Sequence, residues 1–312
     1  MAADALALGR DGLNTFERHS RSPALAGTGL VLAAPGRITL AEGAPLPVHG
    51  TYRVPAAEVN RFRSFGNEIV VVAVEADTHM PHSTNLVPEG FTPAPSFIDP
   101  SQRAFRDMLV GGWLNLDLFD WMPGLARRPG RVHVFATIGT LVSGTVTVEL
   151  RAEPAAKGRR AAPARPAVGP GDADTPPGSC PVSFGRTAAS PDVDESLRGV
   201  VLRVESASSA GDLTALTLHG AYQVTAADAR RIGVTPLHRA LVVTVVSGLY
   251  HRSFRLAGEV LTFPDDETVA AGVARGYFHL DLLPSLHPEP GQRGTVLVSL
   301  GEFVSNVVEI AP

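Results

Sequence analysis

Leu46-Pro-Val-His-Gly-Thr-Tyr-Arg-Val-Pro-Ala-Ala57 and Leu216-Thr-Leu-His-Gly-Ala-Tyr-Gln-Val-Thr-Ala-Ala227 are two versions of one phrase, set 170 residues apart. Each alternates apolar and polar residues. Leu46, Val48, Tyr52 and Val54 fall on one side, and Pro47, His49, Thr51 and Arg53 on the other. A two-residue period is that of a strand with one face buried. The match extends back to Gly29, Val31 and Leu32 against Gly199, Val201 and Leu202. It resumes where Gly112-Trp-Leu-Asn-Leu-Asp-Leu118 answers Gly276-Tyr-Phe-His-Leu-Asp-Leu282, and closes with Ile138-Gly-Thr-Leu-Val-Ser143 against Leu300-Gly-Glu-Phe-Val-Ser305. One folding unit is written twice, and features common to both copies belong to the scaffold.

The remaining signals are also those of strands. Ile69-Val-Val-Val-Ala-Val74 and Ala240-Leu-Val-Val-Thr-Val-Val246 are short, β-branched and unalternating, as in central strands buried on both faces. Residues 131–138 and 145–150 flank a Gly139–Gly144 turn and read as a terminal hairpin, repeated by 295–300 and 306–310. Short helical turns interrupt the pattern. Thr225-Ala-Ala-Asp228 has the form of a capping box, and Pro55 with Glu58 opens the same turn in copy one. Further turns are expected beside Pro100 and Pro264.

The chain is therefore expected to be all-β: two tandem, homologous β-sandwiches with short helical turns. The closing pattern of strand, glycine turn and Ser-Asn-Val-Val strand is similar to that of many immunoglobulin-like modules, although the cysteine–tryptophan–cysteine signature is absent. The expected organisation is an N-terminal arm over 1–23, copy one over 24–150, a linker over 151–194 and copy two over 195–312. The linker is rich in Pro, Ala and Gly and is expected to be a disordered tether, because it offers too little apolar surface to offset its ordering entropy.

Composition narrows the functional classes. A net charge of -4 over 312 residues gives no general pull toward nucleic acid or acidic membranes. No apolar run reaches the roughly 20 residues that span a bilayer. A single cysteine, Cys180, allows no intrachain disulfide and suits the cytoplasm. Motifs for a P-loop, a dinucleotide fold, a nucleophile elbow or an H-E-x-x-H zinc site do not occur. No cofactor or metal is expected.

Candidate chemistry is sparse. His49 and Asp117, with their counterparts His219 and Asp281, are expected to form structural His–Asp pairs between neighbouring strands. Trp113 and Trp121, with Asn115 between them, form an aromatic pair found in copy one alone, suited to a protein partner or a sugar ring. His79 and His82 stand in a loop of copy one, 77–111, that is longer than its partner loop. The leading expectation is a non-catalytic binding or assembly module acting through a protein partner, its copies paired with each other or across a homodimer. One alternative is a small copper or zinc protein, or an enzyme, using the histidines of copy one. Another is carbohydrate binding through Trp113 and Trp121.

Overall fold

A computed structural model describes residues 13–59, 68–86, 108–154, 182–209, 212–247, 250–256, 268–270, 272–283 and 294–310. The fold is all-β. In the first half, β1 (Gly29–Ala33), β3 (Pro47–Pro55) and β6 (Leu109–Asp117) form one antiparallel sheet in the order β1-β3-β6. A second sheet runs β2-β9-β7-β4-β5, from β2 (Arg37–Leu40), β9 (Val146–Ala152), β7 (Gly130–Ile138), β4 (Ile69–Glu75) and β5 (Pro81–Asn85), and short β8 (Leu141–Val142) folds back on β7. Only β2 and β9 pair in parallel within it. Val48, Val54, Leu114 and Leu116 of the first sheet meet Val71, Ala73, Val134 and Ala136 of the second in one buried core.

The second half forms two further sheets. Its outer sheet runs β10-β16-β12-β11, from β10 (Val182–Phe184), β16 (Val273–Asp281), β12 (Asp212–Thr225) and β11 (Gly199–Ser209), with β15 (Thr268–Ala270) also on β16. Its inner sheet joins β14 (Tyr250–Arg255), β13 (Leu241–Ser247) and β17 (Gly294–Leu300), with β18 (Phe303–Val304) and β19 (Val308–Ile310) on β17. Leu216, Leu218, Tyr222 and Phe278 meet Val243, Val245, Val296 and Val298 in a second core. The closing hairpins agree to the hydrogen bond. Ala136 N donates to Ser143 Oγ and Val298 N to Ser305 Oγ, both at 2.9 Å.

The His-Gly-x-Tyr phrase is a packing device. Gly50 faces Leu114 across the sheet and Gly220 faces Phe278; a Cβ at Gly50 would lie 2.7 Å from Leu114 Cγ, and one at Gly220 would enter the Phe278 ring. Two residues on, Tyr52 and Tyr222 lie over Gly112 and Gly276 in the same manner. Each glycine makes room for the large side chain opposite. The turn after β3 is helix α1 (Ala56–Val59), and the turn after β12 is helix α3 (Ala226–Ile232). Its capping box is complete, with Thr225 Oγ1 taking Asp228 N and the Asp228 carboxylate taking Thr225 N.

Two expected boundaries are corrected. Residues 182–194 fall in the expected linker, yet β10 pairs Ser183 with His279, and Gln223 Nε2 donates to Asp194 O at 3.1 Å. Residues 13–23 fall in the expected arm, yet Leu13 is buried and Thr15 forms a bridge with Asn115. Backbone pairing to a sheet edge holds both segments, and that requires no apolar run. The rest of the linker, including Cys180, lies outside the described residues, as do residues 1–12, most of the 77–111 loop and the turns near Pro100 and Pro264. Among the described residues no helix is long and apolar enough to cross a membrane.

Candidate functional site

The arm segments reveal a repeat that the 170-residue offset misses. Thr15-Phe-Glu-Arg18 and Ser22-Pro23 recur as Ser183-Phe-Gly-Arg186 and Ser190-Pro191 at an offset of 168. Each begins with an edge pairing and ends in the same turn: His19 N donates to Ser22 Oγ at 3.0 Å, and Thr187 N to Ser190 Oγ at 2.9 Å. Beneath each segment lies a buried polar chain.

In the first half His49 Nδ1 lies 2.8 Å from Asn115 Oδ1, while the Asn115 amide nitrogen donates to Glu17 O at 2.7 Å and to Thr15 Oγ1 at 3.2 Å. An amide whose nitrogen faces a carbonyl must present its oxygen to His49, so His49 carries its proton on Nδ1. In the second half His279 takes the place of Asn115. Its Nε2 lies 2.6 Å from Gly185 O, which only accepts, so Nε2 is protonated and Nδ1 accepts from His219 Nδ1 at 2.7 Å. His219 Nε2 then lies 3.3 Å from Glu205 Oε2. Burial pushes the pKa of His49 and His219 down; Asn115 and Glu205 oppose the shift without reversing it.

The His–Asp pairs expected from sequence are not formed. Cross-strand register sets His49 opposite Asn115 and leaves Asp117 opposite Pro47, two positions further along. Asp117 Oδ1 instead accepts Leu46 N at 2.9 Å and Phe119 N at 3.1 Å, capping helix α2 (Leu118–Trp121). Asp281 does the same at the end of β16, accepting Leu283 N at 3.0 Å. These carboxylates terminate strands, while the histidines fasten the arm.

A substitution tests this chain of bonds. Asn115→Leu removes the side-chain partner of His49 Nδ1 and Glu17 O, and is expected to cost about 2–4 kcal/mol. Asn115→His copies the arrangement of the second half and is expected to cost less than about 1 kcal/mol. Urea denaturation compares the two, and equal losses would rule out the hydrogen-bond account.

The other candidates scatter. Trp121 packs on the first core and its indole N–H donates to Asn14 Oδ1 at 2.8 Å, so its polar handle is spent within the chain. Trp113 sits opposite Thr51 on the outer face of β6, half-buried. His82 Nε2 lies 3.2 Å from Glu75 Oε1, and Glu75 also accepts from Arg128 at 2.7 Å, Thr78 Oγ1 at 2.9 Å and Ala126 N at 3.3 Å. Burial alone would raise the pKa of this carboxylate. The four donors outweigh it and hold the group at about 2. Glu75 thus contributes stability above its ordinary 4.5 that is lost as pH falls through about 2. His79, in a left-handed turn with φ 56°, serves neither His82 nor Glu75 with its ring. Among the described residues no group of three His, Cys, Asp or Glu is placed to hold a metal.

What the structure does bring together is the seam between the halves. Alternate residues of β4 and β13 point away from their own cores. Val70, Val72, Val74 and Phe135 of the first half pack on Val242, Val246 and Leu297 of the second, with Val142, Val304 and Val307 at the margin. The registers Ile69–Ile138 and Leu241–Leu300 make these positions correspond: Val70 to Val242, Val74 to Val246, Phe135 to Leu297 and Val142 to Val304. Polar contacts rim the patch. Arg255 donates to Thr78 O at 3.1 Å and Arg131 to Arg231 O at 3.2 Å.

No protein-family model and no curated protein matches this chain. The seam therefore has to be interpreted from its own geometry. Its signal in the sequence was the missing alternation in Ile69–Val74, which asks for apolar cover on both faces. Arg255, Arg131 and His251 carried no comparable signal.

Proposed function

We propose that the chain is a non-catalytic binding and assembly module: an internally duplicated pair of immunoglobulin-like β-sandwiches closed on each other within one chain. The observation that carries this reading is the isologous seam, in which corresponding residues of the two halves meet. Such self-complementarity belongs to two-fold dimers, and here both partners lie on one chain. The histidines and aspartates common to the halves are engaged in fastening strands, which favours scaffold over catalyst. The module acts through a protein partner, and its single cysteine suits the cytoplasm.

Splitting the chain within 155–181 and co-expressing the two pieces tests the pairing. The cut must precede Val182, because β10 belongs to the second half. The pieces are expected to co-purify as a one-to-one complex, and elution as two separate monomers would reject the reading. The metal alternative is tested separately. Stoichiometric copper or zinc in full-length protein purified without chelator would favour it over the scaffold.

A further inference from the structure

The apolar patch of the seam is bordered by three histidines, and none is shared between the halves by descent. His133 stands on β7 at 7% exposure, its Nδ1 2.9 Å from Thr147 Oγ1 of β9. His79 stands at 8% exposure in the turn before β5. His251 lies on β14 of the second half, hydrogen-bonded to the backbone of Ser83 on β5. Thr295 holds the place of His133 in β17, and Pro81 that of His251 in β5. Four apolar pairs of the seam correspond between the halves, and the histidines have no such counterparts.

The surroundings of His133 and His79 are mostly cationic. His133 feels Arg131 on its own strand, Arg231 on α3 of the second half, and His79; Asp77 is the carboxylate that opposes them. His79 feels Arg255 of β14, again with Asp77 in opposition. The other nearby carboxylates are taken. Asp228 and Glu302 both pair with Arg231, and Glu75 is held by Arg128 and His82. A proton added to His133 or His79 meets buried surface and arginines, and one added to His251 meets buried surface.

Resting on the paired-halves reading above, we propose that the seam is a proton-operated latch: acidification charges His79, His133 and His251 and parts the two halves of the chain. All three histidines are pushed down from 6.5, with burial the largest cause, and His133 falls to about 4. In the closed chain they are neutral near pH 7. Separation returns them to water and to their ordinary affinity for protons, so the open form binds more protons than the closed one. The seam's stability is full above about pH 6.5 and is lost as pH falls toward about 4. At pH 5, His133 alone is expected to shift the balance toward the open form roughly 30-fold relative to pH 7.5. His79 and His251 act in the same direction.

Small-angle scattering of the full chain between pH 7.5 and 4.5, at constant ionic strength, tests the latch, with circular dichroism reporting that the sheets persist. Wild-type protein is expected to be compact at pH 7.5 and to expand reversibly below pH 6. The triple variant His79→Gln, His133→Gln and His251→Gln is expected to stay compact at pH 5. The single His133→Gln, whose amide still reaches the Thr147 hydroxyl, is run beside it and is expected to open roughly 30-fold less than wild type at pH 5. Expansion of the triple variant at the wild-type pH, or a wild type compact down to pH 4.5, would overturn the latch while leaving the pairing intact. A wild type already expanded at pH 7.5 would overturn both.

Discussion

Phe135→Asp is expected to part the two halves while leaving both cores folded. Phe135 is fully buried, yet it belongs to the seam and not to the first core. Losing its ring is expected to cost about 3–5 kcal/mol. A carboxylate set unpaired among Val72, Val242 and Leu297 adds several kcal/mol more. Opening the seam hydrates that charge and removes the penalty, whereas unfolding the first half would sacrifice a core that the substitution does not touch. Ala136, the next residue, supplies the contrast, because its side chain points into the first core. Ala136→Asp is expected to unfold the first half, with loss of its strand signal in circular dichroism. Phe135→Asp should keep that signal while scattering reports an expanded chain. Identical behaviour of the two variants would show that the faces of β7 are not separately covered.

Gly220→Ala is the second large effect. Gly220 sits beneath the Phe278 ring in the second core, and one methyl group there overlaps three ring carbons. Neither its backbone angle nor any lost hydrogen bond is involved, so the penalty is steric. Overpacking at a site closed on both sides is expected to cost about 2–3 kcal/mol, lowering the melting temperature of the second half by roughly 10 °C. The remedy follows from the cause. Phe278→Leu, which gives the second half the Gly–Leu pair that Gly50 and Leu114 make in the first, is expected to recover at least about 1 kcal/mol of the loss in the double variant. Strictly additive costs, read from a thermal double-mutant cycle, would refute the steric account.

The all-β class was legible because alternation and glycine turns are local signals, and the strand pairs carrying them recur in the same order in both halves. The two-sided burial of β4 and β13 was legible too, in the unbroken runs Ile69–Val74 and Leu241–Val246. Their cover was not, since one strand's composition says nothing about which surface lies on it. Register defeated the His–Asp expectation. Residues on the same face of neighbouring strands need not be opposite, and a two-position shift replaced Asp117 with Asn115 as the partner of His49. The arm and the end of the linker were misassigned because edge strands are held by backbone bonds and show little apolar pattern. The Phe-x-Arg and Ser-Pro echo was present, displaced by two residues from the main repeat.

The pairing of the halves is the claim on which the rest depends, and an intramolecular distance measures it most directly. Glu42 and Glu309 are exposed, one in each half, and accept nitroxide labels through Glu42→Cys and Glu309→Cys in a Cys180→Ser background. Pulsed electron paramagnetic resonance on the full chain at pH 7.5 is expected to give a single narrow distance, and to keep it when the protein is diluted with unlabelled chain. A broad distribution spanning tens of ångströms, as a flexible tether of this length would produce, would contradict the paired architecture.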